Sequence, residues 1–121
     1  MSETQASNPL GRSDVGDVTV LRVTLPMLRE DDATEELFRK ATSVVEDEGR
    51  ARLVLNCAAI AFMASMALGR LIKLMHKANA AGGRLVLCNV PQAIEGLLRV
   101  SRLLDVLMNF RDEQEAVRNI G

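Results

Sequence analysis

A chain of 121 residues has room for one domain built round one hydrophobic core. Hydrophobic residues make up 48% and charged residues 26%, with 15 basic against 16 acidic side chains, a balance that argues against a disordered chain and against a basic nucleic-acid binder. There is no Trp or Tyr, and Phe38, Phe62 and Phe110 offer no stacking platform for single strands.

Met1 to Asn8 is polar and Ser-containing rather than charged and then apolar, which predicts a cytoplasmic rather than a secreted protein. Residues 1–16 form an N-terminal segment in which Leu10 to Val15 is open to an edge strand, and the domain itself is expected over 17–121. Asp17 to Thr24 alternates β-branched and polar residues, the pattern of a half-buried strand, and Pro26 ends it and opens a loop. Asp32 followed by Glu35 reads as a capping box. Leu37, Phe38, Ala41, Val44 and Val45 then recur at helical spacing until Gly49, so a first helix is expected over roughly 33–48.

Arg52 to Cys57 is a short apolar run with the length of a buried strand. The stretch Leu53 to Gly69 falls short of the ~20 residues of a membrane span and is broken by Asn56 and Ser65, so no direct membrane insertion is expected. A second helix is expected from near Ser65 to Gly82-Gly83. Its inner face is Leu68, Leu71, Ile72, Met75 and Ala78, and its outer face Arg70, Lys73 and Lys77. Arg84 to Cys88 reads as the next strand, and Pro91 as the first residue of a third helix with Ile94, Leu97 and Leu98 inward. Leu104 to Phe110 contains a last short strand, and Asp112 with Glu115 caps a C-terminal helix through Ala116, Val117 and Ile120.

Strands alternating with helices predict an α/β fold with an open, largely parallel sheet and right-handed crossovers. The strings Arg52-Leu53-Val54-Leu55-Asn56-Cys57 and Arg84-Leu85-Val86-Leu87-Cys88-Asn89 read as parallel core strands. In register they point Cys57 and Cys88 to opposite sheet faces, as two reduced, semi-buried thiols. Two cysteines supply neither a disulfide framework nor a metal site.

His76 is the one histidine, without partners spaced for a metal or a nucleophile–base pair, and is expected at the surface. Gly82-Gly83 lacks the trailing Lys-Ser or Lys-Thr of a phosphate loop and reads as a helix-to-strand turn. Asp31-Asp32 lacks a companion Asp at a strand end, where Asn56 and Cys57 stand, and reads as helix capping; Glu46-Asp47-Glu48 reads as a solvated last turn. No catalytic residue, no cofactor and no metal is therefore expected, and the chain is not expected to be an enzyme.

Phe62-Met63-Ala64-Ser65-Met66-Ala67-Leu68-Gly69 carries the functional expectation. Ser65 precedes the helical pattern, so its hydroxyl is expected to cap the first turn. At 100° per residue, Met66 shares a side with Arg70, Lys73 and Lys77, a flexible apolar group beside cations on the face away from the core.

This segment resembles the signature of the STAS family, the domain shared by bacterial anti-sigma factor antagonists (anti-anti-sigma factors) and sulfate-transporter tails. That signature, roughly Phe-x-Asp-Ser-Ser/Thr-Gly-Leu-Gly after a buried strand, lines up with Phe62 to Gly69. The resemblance continues through Ala80 to Val90 and Asp112 to Val117. It implies a single-domain, mixed and mostly parallel four- to five-stranded sheet flanked by helices. It also implies a partner that is an anti-sigma factor of the serine-kinase type, or another regulatory protein, with Ser65 as the phosphorylation site. The expected partner surface is Ser65, Met66, Gly69, Arg70 and Lys73, on a monomer or weak dimer that binds no nucleic acid. The chain departs from the signature at Ala64, Met66 and Ala67, and Leu25 to Glu30 replaces the family's Gly-x-Leu-Asp loop. The alternative is a non-switching scaffold module in a stressosome or a transporter-associated assembly, with Ser65 as a helix cap alone.

Overall fold

In the computed structural model, which describes residues 8–121, Leu10–Val15 form strand β1 and turn at Gly16 into β2 (Val18–Val23), paired antiparallel from Leu10–Val23 to Val15–Val18. Gly16 stands at φ +61° in the two-residue turn, a position that favours glycine. The first seven residues of the expected 1–16 segment lie outside the described residues. The chain continues as β3 (Met27–Leu28), α1 (Asp32–Glu46), β4 (Arg52–Asn56), β5 (Phe62–Met63) and α2 (Ser65–Ala80). It ends as β6 (Arg84–Cys88), α3 (Gln92–Val100), a 3-10 turn (Leu103–Asp105), β7 (Asn109–Phe110) and α4 (Glu113–Asn119).

Five strands make the main sheet, in the order β1-β2-β4-β6-β7, and every pair after the first is parallel. The expected mixed, mostly parallel sheet flanked by helices is what forms. A parallel sheet must be covered on both faces, and the two near-identical strings show how the cover is divided. Leu53, Leu55, Leu85 and Leu87 face α1, α2 and α3, meeting Leu37, Phe38, Leu71, Leu74, Ile94 and Leu98. Val54, Val86 and Cys88 face α4, meeting Ala116 and Ile120. The larger side chains lie where three helices cover them and the smaller ones where one short helix does.

Cys57 lies in the leucine-side core and Cys88 in the valine-side core, so the two thiols face opposite ways as expected. They are fully buried rather than semi-buried, because helices seal both faces. Burial pushes each thiol up to about 12, which leaves both protonated and inert at neutral pH. Gly82 turns the chain at φ +85°. At Gly83 a Cβ would stand 2.1 Å from the Ala51 carbonyl oxygen, so that position admits glycine alone.

Several boundaries shift by a residue. The cap of α1 is Asp31, whose carboxylate accepts from the Thr34 N–H at 3.0 Å, and Asp32 is already helical. Pro91 stands just before α3 as its N-cap, with ψ 152°. Asp112 caps α4 as expected, but the Glu115 carboxylate takes the Arg111 N–H, one residue earlier than a capping box requires. On α2, Ala67 and Leu74 are fully buried while Leu68 and Ile72 are half-buried, so the inner face is rotated from the expected one. Two elements were not anticipated: the 3-10 turn, and the parallel pairing of β3 with β5 inside expected loops.

A polar tie holds the sheet edge from which the β4–β5 loop departs. Arg22 donates to both carboxylate oxygens of Glu113, at 2.7 and 2.8 Å. The Asn56 amide donates to Glu113 at 2.7 Å, and its own oxygen accepts from the Ala58 N–H at 2.9 Å. Bonding to Arg22 holds the Glu113 carboxyl below its usual range, with Asn56 adding to it. A depressed carboxyl stabilises the fold above its unfolded value, near roughly 4.3, and loses that contribution as the pH falls through the folded value. Glu113→Gln is expected to lower the thermal midpoint at pH 7 by about 3–5 °C, for about 1 kcal/mol of lost pairing. The gap between variant and wild type should narrow as the pH falls below the unfolded carboxyl value and through the lowered folded one. A pH series of thermal melts measures both, and a gap independent of pH would contradict the ion-pair account.

Candidate functional site

The signature segment is built by the small sheet. The Pro26 carbonyl accepts from the Ala61 and Phe62 N–H groups at 2.7 and 3.1 Å, and the Leu28 carbonyl accepts from the Ala64 N–H at 2.8 Å. This clamp delivers Ala64, in extended conformation (φ −76°, ψ 161°), to the start of α2. Its carbonyl takes the first helical bonds, from Ala67 and Leu68. The expected Ser65 cap does not form. Ala64 is the N-cap and Ser65 the first helical residue, which carries its hydroxyl past the position that reaches the N–H groups of the first turn.

That leaves an exposed hydroxyl at an uncapped helix start. The first N–H groups of an α-helix have no intrahelical partner and carry a partial positive charge. No acidic side chain lies in this first turn, and among the described residues no side chain caps it. The start of α2 is thus a favourable place for a negative group.

The rest of α2 sorts by angle. Ala67, Leu71, Leu74, Met75 and Ala78 face the core, while Ser65, Gly69, Lys73 and His76 are exposed. Met66, Arg70 and Lys77 lie on the flank toward α1 and are half-buried. Arg70 reaches across to Glu35 on α1 with two bonds, at 3.1 and 2.8 Å, and Lys77 reaches Glu46 at 2.6 Å. The Arg70 bond holds the Glu35 carboxyl below its usual range. Of the expected outward residues, Gly69 and Lys73 therefore make no side-chain bond among the described residues, whereas Arg70 is engaged with Glu35. Gly69 has no neighbour within 4 Å of where a Cβ would be, so nothing inside the protein demands a glycine there.

Two further groups flank Ser65. Met27 and Phe62 are register partners in the small parallel sheet and remain 36% and 45% exposed. Ala58, Ala59 and Ala61 are exposed in the loop that leads into Phe62. Sequence reasoning missed Met27 because it stands in a loop with no periodicity; the signal was the apolar Leu25-Pro26-Met27-Leu28 run. Among the described residues no group of three or more His, Cys, Asp or Glu side chains could hold a metal ion. Nor is any described helix long and apolar enough to cross a membrane.

Solved structures share this fold. An anti-sigma-factor antagonist domain protein from Planctomyces limnophilus superposes with a TM-score of 0.78 at 14% identity, over 92% of this chain and 97% of that one. The Bacillus cell fate determinant SpoIIAA, solved in its phosphorylated form, gives 0.71 at 21% identity over 93% and 99%. The murine anion transporter Slc26a9 (solute carrier 26 family member A9) gives 0.68 at 18% identity, over 88% of this chain and 18% of that one. At these identities the likeness establishes the fold. Residues 13–116 match the STAS domain itself, and the chain belongs to the STAS-domain family.

Proposed function

We propose that this chain is a regulatory protein of the anti-sigma factor antagonist type. It binds an anti-sigma factor of the serine-kinase type through the start of α2 and is released when that partner phosphorylates Ser65. The observation that carries this reading is the exposed Ser65 hydroxyl at an uncapped helix start, beside the exposed pair Met27 and Phe62. An accessible hydroxyl is what a kinase needs, and an apolar patch beside it is what a protein partner covers. The likeness to SpoIIAA, a protein solved in a phosphorylated form, supports the same reading. The protein acts in the cytoplasm by binding rather than by catalysis.

Ser65, Met66, Gly69 and Lys73 make the contact surface, and Arg70 joins it when it leaves Glu35. A phosphate adds about −1.5 to −2 charge at neutral pH. At the helix start it is tolerated, and even favoured by roughly 0.3–1 kcal/mol. The interface bears the penalty, because a group shaped to meet a small hydroxyl must be desolvated against a dianion.

Two outcomes are expected. Ser65→Ala should bind the anti-sigma kinase like wild type and resist phosphorylation, while Ser65→Glu should bind about a hundredfold more weakly, about 2.7 kcal/mol. Titration calorimetry with a phosphorylation assay measures both. Equal binding by Ser65→Glu, or equal modification of Ser65→Ala, would favour the non-switching scaffold, a role to which the likeness with a segment of the murine transporter also points. A mid-helix glycine costs about 0.5–1 kcal/mol relative to alanine, and Gly69 has no internal reason for it. Gly69→Ala should therefore raise the thermal midpoint while weakening partner binding about tenfold by blocking close approach. A stabilised variant with undiminished affinity would remove Gly69 from the surface.

A further inference from the structure

Between α1 and α2 lies a groove of about 340 Å³ beside the buried Phe38. Its walls carry Arg39 from α1 and Arg70, Lys73 and Lys77 from α2, against the single carboxylate of Glu35. Glu35 is engaged by Arg70, Arg39 pairs with Glu36 on its own helix, and Lys77 reaches out to Glu46. Lys73 is exposed and enters no ion pair among the described residues. Exposed pairs of this kind are weak and exchange readily.

We infer that this groove receives an acidic segment of the protein partner, with Lys73 as the first anchor and Arg70 as a fork passed from Glu35 to the incoming carboxylate. The inference rests on the proposal that α2 faces a partner, and it names the chemistry of that partner. Arginine's planar fork matches a carboxylate with two bonds, and Arg70 already holds Glu35 in that way. From Arg70 to Lys77 is seven residues, about 10 Å of helix at 1.5 Å each. Two carboxylates two or three residues apart on an extended chain, at about 3.3 Å per residue, reach both ends. An extended polyanion such as nucleic acid fits worse. Glu36 and Glu46 pair with Arg39 and Lys77 at the groove, and the protein carries a net charge of −1.

The position also bears on the switch. Ser65 precedes Arg70 by five residues, about 7 Å along the helix axis. With the rotation of the helix added, the separation is comparable to the Debye length of about 8 Å at physiological salt, so a phosphate there adds a partly screened repulsion against an acidic segment entering the groove.

The test has two arms. In the first, acetyl-hexaglutamate-amide is titrated into ¹⁵N-labelled protein, with inorganic phosphate at matched ionic strength and a ten-nucleotide oligothymidylate as comparisons. The peptide should shift the amides of residues 35–42 and 70–77, and a Lys73→Glu, Lys77→Glu double variant should abolish the shifts. No localised shift, equal shifts with phosphate, or stronger binding of the oligonucleotide would overturn the inference. In the second arm, affinity for the anti-sigma factor is measured for Lys73→Glu, Lys73→Arg and Ser65→Glu. Lys73→Glu should weaken binding about tenfold and flatten its salt dependence, with Lys73→Arg near wild type. If Ser65→Glu loses binding and Lys73→Glu does not, the acidic segment is wrong and the functional proposal survives. If wild type has no affinity for the anti-sigma factor, that proposal fails, and the peptide arm still decides for or against the groove.

Discussion

Everything in this molecule follows from the parallel pairing of β2, β4 and β6. Parallel neighbours need crossover connections, so the chain leaves each strand at one edge of the sheet and re-enters at the other. β4 and β6 lie in register from Arg52–Arg84 to Asn56–Cys88, with Gly83 pressed against the Ala51 backbone at the entry edge. The crossover must therefore begin beyond Asn56 and return along α2. The start of α2, with Ser65, is held at the carboxyl edge of the strands, where open α/β sheets present their binding sites.

The two ends of that crossover are secured differently. At Gly82-Gly83 a steric limit admits no side chain at Gly83. At the other end the β4–β5 loop is held by backbone bonds to Pro26 and Leu28 and by the Asn56–Glu113–Arg22 tie. The chain there is held without being buried, which leaves Phe62, Met27 and Ser65 at the surface. The Ala64 side chain has no oxygen with which to cap the helix, so the N–H groups at the start of the first turn stay open to a negative group. In the proposed switch that group is the phosphate, which the helix accepts and the partner does not. Arg70 and Glu35 then link the switch helix to α1, so a partner that takes Arg70 also loosens the α1–α2 contact.

Much of this was legible in the residues. The alternation of Asp17 to Thr24, the Leu-Val-Leu strings and the helical spacing of Leu37 to Val45 each produce the expected element, because each buries one continuous apolar face. The family signature located the serine at the head of α2. The cap was misplaced because spacing alone does not say whether Ala64 or Ser65 supplies the first helical carbonyl, and the clamp from Leu28 decides it. The same one-residue ambiguity separates Asp31 from Asp32. Strands of two residues, such as β3 and β5, have no period to detect and exist through backbone bonds to each other. The Arg70–Glu35 bond joins positions 35 residues apart, and no local pattern encodes it.

The most direct measurement of the central claim uses protein carrying phosphoserine at position 65, incorporated during synthesis, and compares its melting and partner binding with the unmodified chain. The account predicts a thermal midpoint unchanged or raised by up to about 4 °C, since the helix start favours the charge. It also predicts affinity for the anti-sigma factor reduced about a hundredfold or more. A midpoint lowered by more than about 5 °C would mean that Ser65 is not at a tolerant helix start. Affinity equal to that of the unmodified chain would mean that the surface round Ser65 is not where the partner binds.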